Sequence, residues 1–177
     1  LPPSSAASDV YKRQPWSSYL NYRAKHLLIM SVKTDAPTYP FSELLIKYIN
    51  KELPEAQSKP ARAKDFERVQ SLFSTNQMPL VLLSKQNAKD LINGEGEFKE
   101  FGSTDANVLY GFGDLILLIQ PSLPNRHAWL LLNALKKSKS VFKDGISPDK
   151  LADIGEAHPG AIMAVSYTHL RAHETHL

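Results

Sequence analysis

The sequence predicts an α/β fold, a three-layer βαβ lobe in which helices cover a mostly parallel sheet. Short apolar runs of strand length recur along the chain, at 27–30, 80–83 and 115–119. Between them, apolar residues fall at spacings of three and four, which is the period of an amphipathic helix. Strand and helix therefore alternate, and this alternation is typical of right-handed crossover units on one sheet.

The first helix is predicted after a loop rich in proline and small polar residues, Thr34 to Pro40. Its apolar positions continue to Leu53, and Pro54 ends it because a proline clashes with the preceding helical turn. A short strand from Ser58 to Lys64 follows. The residues of the helix that we expect to face the core are Phe41, Leu44, Leu45, Tyr48, Ile49 and Leu53.

Two further helices are predicted around the second clear strand. Asp65 has the side chain of an N-cap for the helix that precedes this strand. Pro79 introduces strand 80–83, and Ser84 can cap the helix that follows it. Asn93-Gly94 ends that helix with a left-handed residue. The apolar faces of the two helices are Phe66, Val69, Leu72 and Phe73, then Ala88, Leu91 and Ile92.

The last third of the chain predicts two strands, 107–112 and 115–119, separated by Gly113-Asp114. These two residues can form a tight turn or a bulge. Ser147-Pro148 is a cap followed by proline at the first helical position, which predicts a final helix. The apolar faces of the helices expected here are Ala128, Leu131, Leu132 and Leu135, then Leu151 and Ile154.

Both ends of the chain resemble translated sequencing adapter, in Ser4–Gln14 and in Val165–Thr175. We therefore expect residues 1–14 to be adapter-derived and disordered, 15–164 to form a single α/β domain, and 165–177 to be an adapter-derived tail. Without these ends, the 21 basic residues fall to 18 and the 18 acidic residues fall to 16, so the net charge is +2. The histidines of the tail are accordingly not interpreted as a metal site.

Several classes of protein are excluded. The sequence contains no cysteine, so it has neither disulfides nor a catalytic thiol. It shows no clustered basic face of the kind that binds nucleic acid and no apolar run near the ~18 residues of a membrane span. A nucleophile elbow, a phosphate-binding P-loop and a zinc-protease motif are also absent from 15–164. We predict no enzyme activity, no cofactor and no metal; an enzyme with an unrecognised site is a further alternative.

Two polar loops are the candidate ligand site. In an open α/β sheet, ligands bind beyond the carboxyl ends of the strands, and helix N-termini attract anions. One loop follows the first strand and the other follows strand 80–83, so a small anionic solute, such as a carboxylate or an amino acid, is the expected ligand. The predicted ligand-binding residues are Thr34, Asp35, Thr38, Tyr39, Ser84, Lys85, Gln86 and Asn87.

The same residues also have a purely structural interpretation. Thr38 and Ser84 can be simple helix caps, and Tyr39 can fasten its loop to the core. Lys85 can be a solvated surface charge. Three histidines that stand apart from one another in the sequence are expected to be structural rather than catalytic. They are His26, His127 and His158.

Four segments of the chain together resemble one family. They are the loop 34–39, the helix and strand 65–83, the segment 113–124 leading to a helix with Trp129, and 156–161 with His158-Pro159-Gly160-Ala161. This order is similar to that of the solute receptors of TRAP transporters of the TAXI type, within the type 2 periplasmic-binding superfamily. The family's opening Gly-Gly-Thr-Gly loop is absent, and the receptors have two lobes where this chain has room for one.

The resemblance implies a periplasmic-binding-protein-like fold and an extracytoplasmic solute-binding subunit, or a single lobe, of a TRAP-type transporter. Its partners would be a small anionic solute and a transporter membrane subunit, in the periplasm or outside the cell. No signal peptide is visible. The alternative is a cytosolic ligand-sensing or structural domain of the same fold, since a fold does not determine a function.

A single lobe presents only half of a ligand cleft, and small-ligand sites normally bury most of the ligand. We therefore expect dissociation constants on the order of a millimolar or weaker, unless another molecule covers the ligand face. Homodimerisation through that face is the simplest way to cover it.

Overall fold

The computed structural model describes residues 22–166. The predicted adapter segment 1–14 and residues 167–177 of the predicted tail lie outside this range. The strands are β1 (Leu28–Val32), β2 (Lys59–Ala63), β3 (Leu80–Ser84), β4 (Asn107–Phe112), β5 (Leu115–Ile119) and β6 (Gly145–Ile146). The α-helices between them are α1 (Thr38–Glu52), α2 (Phe66–Ser74), α3 (Lys85–Asn93) and α4 (Asn125–Lys136).

The strands form one open sheet in the order β2-β1-β3-β5-β4-β6. β1 pairs in parallel with both β2 and β3, whereas the pairs β3–β5, β4–β5 and β4–β6 are antiparallel. The α/β class is therefore confirmed, but the expectation of a mostly parallel sheet is wrong. The reason is the connection Gly113-Asp114, which joins β4 to β5 as a hairpin, and two residues are too few for a parallel crossover.

The hairpin turn depends on glycine. Gly113 has φ +63°, a left-handed conformation that other residues adopt only with strain. Of the two structures that the sequence allowed at Gly113-Asp114, the tight turn is the one that forms. The ladder between β4 and β5 has its irregularity further along, between Val108 and Tyr110.

Two apolar cores lie on opposite faces of the sheet. Alternate residues of β3 point to opposite faces, as the period of a strand requires: Leu80 and Leu82 belong to the core under α1 and α4. Val81 and Leu83 belong to the core under α2 and α3. The described residues thus form three layers, with both faces of the sheet buried.

The predicted helices α1 to α4 are all present, but the buried face of α1 differs from the prediction. Leu44 is 59% exposed, and the buried side of the helix contains Thr38 and Ser42 instead. The helix begins at Thr38, before the first apolar residue of the stripe, so the core-facing side includes two hydroxyl residues that an apolar pattern cannot identify. The prediction for Leu44 is wrong.

The end signals of the helices are mostly confirmed. Asp65 accepts a hydrogen bond from the Arg68 N–H at 2.9 Å, as an N-cap does. Gly94 ends α3 in the left-handed conformation, with φ +69°. The final helix expected after Ser147-Pro148 is instead a 3₁₀ turn, Pro148–Lys150. The Leu151 N–H donates to the Pro148 carbonyl and the Ile154 N–H donates to the Leu151 carbonyl. Both hydrogen bonds join residues three apart, as in a 3₁₀ helix.

Candidate functional site

The two predicted loops meet in the structure. Because β1 and β3 are adjacent and parallel, their carboxyl ends lie at the same edge of the sheet, which we call the carboxyl edge. Asp35, on the loop after β1, is only 5% exposed. Its carboxylate accepts hydrogen bonds from the Ser84 N–H at 2.8 Å and from the Asn87 side-chain amide at 3.0 Å. The Ser84 hydroxyl donates to the same carboxylate.

Asp35 takes the position that an anionic ligand was expected to take. Its negative charge lies at the N-terminus of α3, where the helix dipole favours an anion. Ser84 stands at the N-cap position, but its side chain accepts no hydrogen bond from the helix. The simple-cap interpretation of Ser84 is therefore wrong, because its hydroxyl is donated to the buried acid.

Thr38 closes the loop after β1. It is fully buried, its hydroxyl accepts from the Val32 N–H at 3.0 Å, and it donates to the Asp35 carbonyl at 2.7 Å. The side chain therefore joins the end of β1 to the start of α1. With its hydroxyl bonded in this way, Thr38 supports the loop from behind rather than presenting a group to solvent.

Tyr39 lies at the rim of the carboxyl edge, half-buried. The guanidinium carbon of Arg62, from β2, lies 4.1 Å from the centre of its ring, which is a cation–π distance. A side-chain hydrogen bond with Glu43 and the charge of that carboxylate raise the pKa of Tyr39; burial adds to this and Arg62 opposes it. Tyr39 therefore connects β2 to the start of α1.

Arg62 is the site residue that the sequence did not predict. It is exposed and stands near the carboxyl end of β2, the strand that flanks β1 on the other side from β3. The signal in the sequence is its position next to the end of a strand. The carboxyl ends of neighbouring parallel strands lie at the same edge of a sheet, so an arginine there lies near the ligand site.

The remaining predicted residues form the outer surface of the site. Thr34, Lys85 and Gln86 are exposed. The Gln86 amide donates to Asp90 at 2.9 Å within α3. The Lys85 N–H donates to the Asp114 carbonyl at 2.7 Å, which fastens the start of α3 to the β4–β5 turn. Of the eight predicted residues, Thr34 and Asp35 lie on the loop after β1, and Thr38 and Tyr39 begin α1. The second predicted loop is wrong, because β3 runs directly into the helix: Ser84 ends β3, and Lys85, Gln86 and Asn87 form the first turn of α3. All eight residues lie at one edge of the sheet, in two groups: a bonded interior and an exposed rim.

His158 lies at the opposite end of the sheet and is structural. It is fully buried; its Nε2 lies 2.9 Å from the Leu123 carbonyl, and its Nδ1 accepts from the Gly160 N–H at 3.0 Å. Burial lowers the pKa of His158, against the opposing effect of backbone hydrogen bonds at Leu123 and Pro121. Both ring nitrogens are used to attach the segment 156–161 to the loop after β5.

Within residues 22–166, no group of three or more histidine, aspartate or glutamate side chains is arranged to hold a metal ion. Over the same range, no helix combines the length and the apolar character needed to cross a membrane. In comparisons with known proteins, no family model matches the chain, and the search of curated proteins gave no significant match.

Proposed function

We propose that the domain is a lobe that binds a small solute at the carboxyl edge, and that it serves a TRAP-type transporter as its extracytoplasmic solute-binding subunit or part of it. The observation that carries the proposal is the Asp35 carboxylate, which bonds the loop after β1 to the N-terminus of α3. Ligand sites in open α/β sheets are built from such loops, beyond the carboxyl ends of the strands.

The ligand that best suits this edge is an amino acid. The exposed Lys85 and the Arg62 guanidinium supply positive charge for a carboxylate. Asp35 is a negative charge just behind the rim, which disfavours a second negative charge on the ligand and attracts an ammonium group. An amino-acid zwitterion carries both a carboxylate and an ammonium group, whereas a simple monocarboxylate carries only the carboxylate.

Thr34, Tyr39 and Gln86 complete the proposed contact surface with a hydroxyl, a phenol and an amide. Asp35, Thr38, Ser84 and Asn87 hold the loop after β1 against the start of α3, as their mutual hydrogen bonds indicate. A single lobe leaves the ligand partly exposed to water. We therefore propose that the ligand face is covered in use by a second lobe, a second copy of the chain or the transporter's membrane subunit.

The binding proposal is tested by thermal shift and isothermal titration of the whole chain against amino acids and monocarboxylates at millimolar concentration. Because a ligand stabilises the state that binds it, we expect a shift with at least one amino acid. The shift should be lost in Lys85→Ala and kept in Lys89→Ala, a matched exposed lysine on the same helix. No shift across the panel, or equal loss in both variants, would refute the proposed site.

The transport role needs a separate observation. In the native gene, a secretory signal encoded upstream of this segment would support the extracytoplasmic role. A DNA-binding helix-turn-helix in that position would instead support the cytosolic sensing alternative and would contradict the transport proposal.

A further inference from the structure

A cavity lies at the edge of the sheet opposite the candidate site. It is a groove of about 670 Å³, within the range of small-molecule sites. Its walls are the segment 23–27 that enters β1, the 3₁₀ helix Pro54–Ala56, the residues before β3, the loop after β5 and the first turns of α4. These are the amino ends of β1 and β3, so this groove shares no residue with the carboxyl edge.

One side of the groove is apolar. Leu27, Leu53 and Leu123 line it while packing against the core under α1 and α4, and Leu130 continues this wall along α4. These side chains are only partly buried, so they leave apolar surface open to a ligand. Covering such surface contributes roughly 25 cal/mol for each Å² removed from water.

The rim of the groove is positively charged. Among the described residues that line it, Arg23, Lys25 and Arg126 are basic and Glu55 is acidic. The Arg23 guanidinium donates to the Gln77 side chain at 3.0 Å, which fixes its position beside the groove. α4 also begins at this rim, behind Pro124 and without a side-chain cap, and its dipole adds to the positive potential.

We propose that this groove binds an amphiphilic monoanion, such as a medium-chain carboxylate. The carboxylate head pairs with Lys25 and Arg126 on the rim, and the aliphatic tail covers the leucine wall. Charge complementarity selects the head group, and the apolar wall selects the tail. This site is independent of the solute site, because the two lie at opposite edges of the sheet.

The test is a titration of the whole chain with decanoate and with decylammonium at low salt, below the concentrations at which either aggregates. We expect saturable binding of decanoate with one site per chain and binding of decylammonium at least ~10-fold weaker, since only the sign of the head group differs. Added salt should weaken decanoate binding, because the rim is exposed and its charges are screened.

Two variants distinguish the head and tail contacts. Arg126→Glu should weaken decanoate binding by about 10-fold, equivalent to ~1.4 kcal/mol. Leu130→Gln should also weaken decanoate binding, without strengthening the binding of decylammonium. Lys89→Glu is the matched control, an exposed charge reversal on α3, and should have no effect. Equal binding of the two probes, no saturable binding, or equal effects of Arg126→Glu and Lys89→Glu would overturn the proposal. Arg126→Glu should leave any amino-acid shift unchanged, so the two proposed sites can fail separately.

Discussion

Asp35 and Ser84 are joined by two hydrogen bonds although 49 residues separate them in sequence. The carboxylate receives both the N–H and the hydroxyl of the serine, and Asn87 adds a third donor. This contact joins the loop after β1 to the start of α3 and makes one site of them.

Asp35→Ala should lower the free energy of unfolding by roughly 1–3 kcal/mol, because it leaves the partly buried donors of Ser84 and Asn87 without their acceptor. Urea denaturation followed by circular dichroism measures the loss. Asp153→Ala is the matched control, since Asp153 is exposed, and such surface changes usually stay within about 0.5 kcal/mol. If both variants lose the same stability, Asp35 does not hold the loops together.

Thr38 offers a test that separates a hydroxyl from a methyl group. Thr38→Val keeps the shape but removes the acceptor of the Val32 N–H, so we expect a loss of about 1–3 kcal/mol from an unsatisfied buried donor. Thr38→Ser keeps the hydroxyl and should be less destabilised. Denaturant midpoints of the two variants and the parent give the order of stability. If Thr38→Val is more stable than Thr38→Ser, the hydroxyl of Thr38 does not stabilise this loop.

His158 should make the domain less stable in mild acid. Burial lowers its pKa in the folded state, whereas an unfolded histidine titrates near about 6.5. Above that pH the His158 side chain is neutral in both the folded and the unfolded chain, so it adds no pH dependence to the stability. As the pH falls below it, the unfolded chain binds a proton that the folded chain does not, so stability decreases by up to ~1.4 kcal/mol per pH unit until the folded pKa is reached.

The measurement is the free energy of unfolding at a series of pH values for the parent and for His158→Gln. The difference between the two profiles isolates residue 158 from the other titrating groups. The difference should be constant above about pH 6.5 and should change below it, with the parent losing stability faster. Parallel profiles throughout would show that His158 is not kept neutral by its buried position.

Gly160 should not tolerate a side chain. A Cβ at this position would collide with the backbone carbonyl of Asn125, at the start of α4, and backbone atoms cannot move aside as a flexible side chain can. Gly160→Ala should therefore cost roughly 1–3 kcal/mol through overpacking. Residues 159–166 are helical and include both Gly160 and Met163. Met163→Ala, at an exposed position of this helical segment, serves as the control in thermal denaturation and should change stability little.

Most of the local structure could be predicted from residues within a few positions of one another. The cap at Asp65 and the left-handed stop at Gly94 depend on the side chain or backbone freedom of a single residue. The apolar stripe of α4 also lies where its period placed it, with Ala128, Leu131, Leu132 and Leu135 all buried. The face of α1 was predicted less well, because Leu44 fits the helical period but lies on the solvent side.

The sequence predicted the two polar segments of the candidate site, but it did not predict that they lie together. The polar segment after β1 was evident from composition and spacing. The polar segment 84–87 was evident too, but it forms the end of β3 and the first turn of α3 rather than a loop. The pairing of β1 directly with β3, the donors around Asp35 and the approach of Arg62 to Tyr39 all involve residues distant in sequence. A single sequence contains no local signal for such contacts.

The sequence by itself determined the α/β class, the order of β1 to β5 and α1 to α4, and several of the residues that end these elements, since hydrophobic period, capping and turn chemistry act over a few residues. Only the tertiary structure decided that β5 runs antiparallel to β3 and that Asp35 neutralises the end of α3. The physical reason is that strand pairing and burial of a charge depend on which distant segments become neighbours, and that choice is made by the packing of the whole domain.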